Sequence, residues 1–385
     1  MKVAIIKERR AGETRVAASP DVVKKLAGLG FEIAIETGAG EGAGMADQAF
    51  ADAGAQIAAD AGETLAGANV VLKVQRPMTL ADGGIDELAL IPASAILIGL
   101  LNPLVETGQF SGYAERHLTV FAMELVPRIS RAQSMDALSS QANLAGYKAV
   151  LDAGIYYKHV MPMMMTAAGT VAPAKVLILG AGVAGLQAIA TARRLGGVVS
   201  AFDVRPAVKE QVESLGASFV EVEGAADAET SGGYAKEMGE DYKRRQAEAI
   251  HEALKKNDIC ITTAQIPGKP SPKLITAQMV ADMKNGSVIV DLAAEGGGNC
   301  ELTEYDQVVQ AGGVTIVGFA NVAARLAADA SALYARNLLN FLSPMVDADQ
   351  GAIAIDWEDE VIAGACAMRD GELVHPSLTA AQGGE

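Results

Sequence analysis

Cysteine is nearly missing from this chain of 385 residues, which has 3. Cys260, Cys300 and Cys366 stand far apart with no Cys-x-x-Cys spacing. Such a set makes neither a disulfide framework nor a zinc site and fits a reducing compartment, so no metal is expected. Aromatic residues are only 4% while Gly reaches 41, which points to close-packed elements around a ligand site built largely from backbone. Positive charge is in deficit: Lys+Arg of 31 against Asp+Glu of 47 leaves a net charge of −16. That balance argues against nucleic acid or an anionic membrane surface as the main partner. Long apolar runs are absent too. The uncharged stretch 176–192 holds 17 residues and carries Gly180, Gly182 and Gly185, and 88–101 is broken by Pro92. Neither reaches the 18 or more residues of a spanning helix, and Met1–Glu8 reads as a strand followed by charge, with no signal peptide.

What is present is a globular chain. Half the residues are hydrophobic and a fifth are charged, which excludes global disorder, and the length suggests two domains or three. Short apolar runs at 3–6, 33–36, 70–74, 95–100 and 118–122 alternate with helical patterns. In one of these, Ser19 is a candidate cap and Pro20 a first-turn proline. From about 134 to 151 the sequence reads as one long helix, opened by Ser134 with Asp136 in its first turn. A second strand–helix series runs through 176–179, 198–202, 219–222, 258–263, 287–292 and 314–317. A second long helix is expected at 325–342, then a polar tail with a hairpin-like segment. The expected fold is α/β, with two Rossmann-like, doubly wound parallel-sheet domains. They are placed at 1–133 plus 343–385 and at 140–324, joined by the two long helices, with the cofactor in the cleft between them.

Val176–Gly185 reads VLILGAGVAG, a GxGxxG placed directly after an apolar strand and before a helix. Gly180 permits the tight turn, Gly182 lets the backbone approach a pyrophosphate, and Gly185 lets helix and strand pack closely. By itself this motif also suits an alanine-rich packing turn. The next strand ends in Asp203, 18 residues beyond Gly185, where an acid accepts hydrogen bonds from the ribose hydroxyls of NAD and repels the 2′-phosphate of NADP. Together these features indicate NAD(H). Arg205 dissents, since an arginine there can pair with a 2′-phosphate.

A dehydrogenase that moves a proton with its hydride needs a group of near-neutral pKa. The four histidines, His117, His159, His251 and His375, sit among charged or turn residues, the setting of solvated or capping side chains. Lys73 at the end of a strand is a better candidate, or an ordinary strand-end lysine. The run Pro127–Ser140 offers something else: Arg128 before a helix start, Gln133, and Asp136 with Ser139 three apart on one face. It is either a helix cap with solvated arginines or a polar cluster that orients a nicotinamide without exchanging protons. Residues 223–239 are too long and polar for a tight connection and hold Gly232-Gly233 beside Tyr234, which suggests a closing lid or a passive loop.

These features together resemble the alanine dehydrogenase/transhydrogenase family. The carrying residues are Glu8-Arg9-Arg10 with Glu13-Thr14-Arg15-Val16-Ala17, Lys73-Val74-Gln75-Arg76-Pro77, the Arg128–Ser140 run, the three glycines, the loop at 232–239 and Ile266-Pro267-Gly268-Lys269-Pro270. The resemblance covers essentially the whole chain, and the Arg128–Ser140 and 232–239 segments match its transhydrogenase branch. It implies hydride transfer from NADH to NADP⁺, with NADP(H) on a separate domain III and proton passage through a membrane domain II. It also implies a cytoplasmic subunit held peripherally on the inner membrane by separate partner chains; a homodimer is expected from the methionine-rich stretch Met161–Val171.

By position, the resemblance puts Arg128, Ile129, Ser130, Gln133, Asp136 and Ser139 around the nicotinamide, with Gln133 facing the partner's NADP(H). Gly180, Gly182 and Val183 go to the pyrophosphate, Asp203, Val204 and Arg205 to the adenosine ribose, and Gly233 and Tyr234 to the lid. Gln246 and Gln265 are added near the adenosine and a strand end. The alternatives are an alanine dehydrogenase or a catalytically silent NAD-binding protein. The first branch carries a histidine after the strand that here reads Ile96-Leu97-Ile98-Gly99-Leu100-Leu101-Asn102, and an aspartate where Glu295 stands. Both departures remove acid–base machinery. The methionine-rich stretch Met161–Val171 reads as a hairpin donated to a second copy, or as a buried core segment.

Overall fold

The computed structural model describes residues 1–222, 239–266, 268–347 and 352–382. The chain forms two units, one of residues 1–141 with 324–385 and one of residues 142–323.

The first unit opens on β1 (Lys2–Ile5), β2 (Glu32–Glu36), β3 (Ala55–Ala58), β4 (Val70–Gln75), β5 (Ile96–Leu100) and β6 (Thr119–Ala122). Across the sheet the order is β3, β2, β1, β4, β5, β6, all parallel. This is a doubly wound order with its switch point between β1 and β4. Successive side chains of a strand face opposite ways, so Val3 and Ile5 enter one apolar cluster while Ala4 and Ile6 enter another on the other face. The helix Pro20–Gly28 starts as its sequence predicts, with Ser19 Oγ accepting from Val22 N and Pro20 in the first turn.

In the second unit a hairpin, β7 (Met164–Thr166) with β8 (Gly169–Val171), precedes the sheet, and all six of its residues are exposed. The sheet comprises β9 (Lys175–Leu179), β10 (Val198–Phe202), β11 (Ser218–Phe219), β12 (Ile259–Thr262), β13 (Val288–Asp291), β14 (Val308–Ala311) and β15 (Val314–Val317). Its order is β11, β10, β9, β12, β13, β15, β14, with β14 alone antiparallel. The switch point lies between β9 and β12. The chain re-enters the first unit at residue 324 and there forms a short pair, β16 (Val346–Asp347) with β17 (Ala352–Ile353). There β18 (Cys366–Arg369) and β19 (Glu372–Leu373) extend the first sheet antiparallel beyond β6.

The structure adjusts several sequence expectations. β3 and β14, which were not among the expected strands, both lie at sheet edges, and β3 has a single β-branched residue, Ile57. The strand expected at 219–222 is only Ser218–Phe219, paired on one side. The long helix runs Ala137–Tyr156, so Ser134 does not cap it. Residues Ser130–Met135 wind into a 3₁₀ turn first, and Asp136, in extended conformation, takes the capping position. Its partner in the sequence reading, the second long helix, spans Ala327–Leu342. The lid residues Gly233 and Tyr234, and Pro267, lie outside the described residues.

Candidate functional site

The glycine turn sits in the second unit between β9 and the helix Val183–Arg194. Gly180 has φ +99°, a left-handed conformation that a side chain would strain, and a Cβ there would lie 2.5 Å from Thr263 Oγ1. A Cβ on Gly185 would lie 1.8 Å from Gly180 O, so helix and strand pack at glycine distance. Gly182 differs, because a Cβ there meets nothing within 4 Å. Among the described residues nothing requires a glycine at 182 and no side chain caps the helix that starts there. Amide groups at such an end, beside a backbone that a ligand can approach, fit a dinucleotide pyrophosphate. Val183, the first helical residue, is exposed.

At the neighbouring strand end Asp203 is buried and heavily engaged. Its Oδ2 accepts from Ala181 N at 2.7 Å, and Arg205 approaches through N, Nε and Nη2 at 2.9, 2.9 and 2.8 Å. The acid therefore ties the glycine turn to its own strand end, and the arginine that dissented in the sequence is committed to it. Val204 packs against the apolar cluster under the sheet. Tyr242, in the first turn of the helix Glu240–Lys256, is buried, and burial, then the Asp203 charge, pushes its hydroxyl pKa up. Gln246 lies four residues on, on the same face. Gln265 is exposed and donates to Leu292 O at 3.0 Å. Sequence reasoning missed Thr263 and Asn299. Thr263 donates to Gly180 O at 3.1 Å, and Asn299 holds Ala264 N, Ala264 O and Pro272 O at 2.8–3.0 Å. A single buried asparagine in a polar loop gives no sequence signal of that duty.

In the first unit, Lys73 is fully buried near the carboxyl end of β4, with Glu8 and Glu87 each 3.0 Å from its Nζ. Burial pushes the Glu8 carboxyl up, with Lys73 opposing it. Nearby, Arg15 grips Glu13 through Nε and Nη2 and reaches Gln141 at 2.9 Å. Burial raises the Glu13 carboxyl, yet Arg15, with Gln75, more than offsets it and holds it at about 2. A lysine sealed between two carboxylates is not placed to trade protons with a substrate. Of the histidines, His251 pairs with Asp282 at 2.8 Å, His375 helps cap the C-terminal helix, and His117 occupies a left-handed turn.

The structure brings the remaining unit-one residues into one continuous turn. Arg128, Ser130 and Gln133 are exposed, Ile129 packs partly against the core, and Ala132 and Met135 are buried. Asp136 Oδ1 accepts from Ser139 N at 2.8 Å, and Oδ2 accepts from Ser139 Oγ at 2.5 Å. Arg131 clamps Asp359 through two nitrogens at 2.9 and 2.6 Å, with Glu360 behind. Among the described residues no cluster of His, Cys, Asp and Glu could hold a metal ion, and no helix is long and apolar enough to cross a membrane.

Two family models match: alanine dehydrogenase/PNT, N-terminal domain, over residues 4–145, and its C-terminal domain over residues 149–376. The chain is 59% identical over 381 residues to the first part of the NAD(P) transhydrogenase alpha subunit of Rhodospirillum rubrum, covering 98% of this chain and 99% of that one. A solved transhydrogenase from Sinorhizobium meliloti superposes with a TM-score of 0.87 at 49% identity, over 97% of this chain and all of that one. Alanine dehydrogenase of Halomonas elongata is 30% identical, over the whole of this chain and 97% of its own.

Proposed function

Since this chain belongs to the alanine dehydrogenase/PNT family, we propose that it is the NAD(H)-binding subunit of a proton-translocating NAD(P) transhydrogenase. NADH supplies a hydride when bound, and the acceptor is NADP⁺ on a partner subunit. The second unit holds the dinucleotide: Gly180, Gly182 and Val183 at the pyrophosphate, Asp203, Val204 and Arg205 at the adenosine ribose, and Gln246 and Gln265 beside them. Asp203 favours NAD(H) over NADP(H) by placing a carboxylate where a 2′-phosphate would come. Arg128, Ile129, Ser130, Gln133, Asp136 and Ser139 orient the nicotinamide ring, with Gln133 toward the partner.

The observation that carries this reading is Lys73, buried between Glu8 and Glu87. With that lysine committed, the chain's contribution is position and electrostatics, which suits transfer between two nicotinamide rings better than oxidation of an amino acid. The subunit is peripheral, held at the membrane by partner chains, and pairs as a homodimer through its exposed β7–β8 hairpin. The test mixes the chain with an NADP(H)-binding domain III protein and follows NADH-dependent reduction of an NADP⁺ analogue. Transfer that needs both proteins is expected, with no oxidation of NADH by pyruvate and ammonium. Pyruvate-dependent turnover without the second protein would make it an alanine dehydrogenase instead.

A further inference from the structure

The turn Ser130–Met135 is a weak device for holding a reactive ring. A 3₁₀ turn has poorer hydrogen-bond geometry than an α-helix, and this one is anchored by burial only at Ala132 and Met135. Gln133 and Ser134 between them are exposed. What fixes them is on another element. From the helix Ala327–Leu342, Asn337 Nδ2 donates to Ser134 O at 2.9 Å and Asn340 Nδ2 to the same oxygen at 3.0 Å. Three residues apart, the two asparagines lie on one face of the helix. They thereby grip the residue that follows Gln133.

Asn337 does more. Its Oδ1 accepts from Ser140 Oγ at 2.8 Å, and Ser140 Oγ in turn accepts from Gln141 Nε2 at 3.2 Å. One amide therefore spans from the 3₁₀ turn to the first turn of the helix Ala137–Tyr156, with Asp136 and Ser139 between its two contacts. A carbonyl on one side and a hydroxyl on the other fix which way the amide faces. Asn337 is 7% exposed. Its helix is seated by Leu338, Phe341 and Leu342, all fully buried, and by Tyr334 Oη donating to Lys73 O at 2.7 Å. The brace is rigid at its base.

We propose that Asn337 is a positioning residue for hydride transfer, bridging Ser134 and Ser140 so that Gln133, Asp136 and Ser139 keep one mutual geometry. This rests on the assignment of those three residues to the nicotinamide. Asn340 is its auxiliary, since it meets only the Ser134 end. About 1 Å of misplacement at a reacting centre can cost on the order of a hundredfold in rate, whereas the dinucleotide's other contacts belong to residues that Asn337 does not touch.

The test compares wild type, Asn337→Ala, Asn337→Ser and Asn340→Ala, each as the full chain with a domain III protein. NADH sites and affinity are measured by calorimetry, and transfer to an NADP⁺ analogue is expressed per NADH site. A purely structural loss removes sites, while a positioning loss slows each one. Asn337→Ala should keep NADH affinity within about twofold and slow transfer per site about tenfold to a hundredfold. Asn337→Ser, too short to span both partners, should behave alike and serves if the alanine variant does not fold. Asn340→Ala should cost less than either. Transfer per site within threefold of wild type in the Asn337 variants, or a larger loss from Asn340→Ala, would overturn the proposal. No transfer by wild type would instead remove the transhydrogenase reading on which it rests.

Discussion

Asp136 and Ser139 are bonded twice, once through the Ser139 backbone amide and once through its hydroxyl. The first bond caps the helix Ala137–Tyr156, and the second only orients a side chain. The two residues are thus separable by mutation although they form one pair.

Asp136→Ala removes the cap and should lower unfolding free energy by about 1 kcal/mol. Ser139→Ala leaves the cap in place and should cost clearly less in urea denaturation. Equal losses from the two would show that Asp136 does not act as a cap.

The two glycines beyond Gly180 should separate folding from binding. Gly185→Ala places a methyl 1.8 Å from Gly180 O, so the helix must move off its strand, with a fall in melting temperature and loss of NADH binding. Gly182→Ala meets nothing within 4 Å, at φ −76°. Its melting temperature should stay near wild type while NADH affinity falls. A Gly182→Ala protein that binds NADH normally would remove that residue from the pyrophosphate site.

Much of this arrangement was legible in the sequence because backbone geometry dictated it. GxGxxG between an apolar strand and a helix admits few alternatives, and the interior parallel strands of both sheets were apolar runs. β18, interior but antiparallel, lay in what read as a polar tail. The edge strand β3 was not visible, because one-sided pairing demands little hydrophobicity, and β14, which reads Val-Val-Gln-Ala, was not picked out either. The helix start slipped from 134 to 137, since Ser134 and Asp136 are both good caps and only the 3₁₀ turn decides between them. Asn337, Asn299 and Arg131 were invisible as supports because their partners lie far along the chain, at Ser134, Ala264 and Asp359. The sealing of Lys73 needed Glu8 and Glu87 to meet it, which no local pattern encodes.

Nucleotide choice should depend on the Asp203–Arg205 pair. Wild type should bind NADH much more tightly than NADPH in calorimetry. Asp203→Ala should narrow the gap, partly by weakening NADH, because it frees Ala181 N at the glycine turn as well. Equal binding of NADH and NADPH by wild type would refute the role of Asp203 in that choice.

Gln133 is exposed and makes no demand on the core, so Gln133→Asn should leave stability and NADH affinity near wild type. Transfer to an NADP⁺ analogue should slow, because the shortened amide withdraws by about one methylene from a geometry that tolerates little displacement. The rate of the hydride step should vary little between pH 6 and 8. A bell-shaped profile with a limb near a His or Lys pKa would mean that a general acid or base takes part after all.

Glu124, just past β6, provides a pH test of stability. Its Oε1 accepts from Asn102 N at 2.7 Å, but its Oε2 is buried with no hydrogen-bond partner among the described residues. Burial pushes its carboxyl up to about 6, against 4.5 ordinarily. The folded state therefore holds this proton more tightly than the unfolded chain does. Well below pH 4.5 the group is protonated in both states and costs nothing. As pH rises toward 6 the unfolded chain ionises first, and above 6 the folded protein carries a poorly solvated charge. One pKa unit is about 1.4 kcal/mol, so the penalty above pH 6 is about 2 kcal/mol. Glu124→Gln, which resembles the protonated acid, should gain about that much on wild type between pH 4.5 and pH 7.5. Urea denaturation of both proteins at the two pH values measures it, and a stability difference independent of pH would mean that Glu124 ionises normally in the fold.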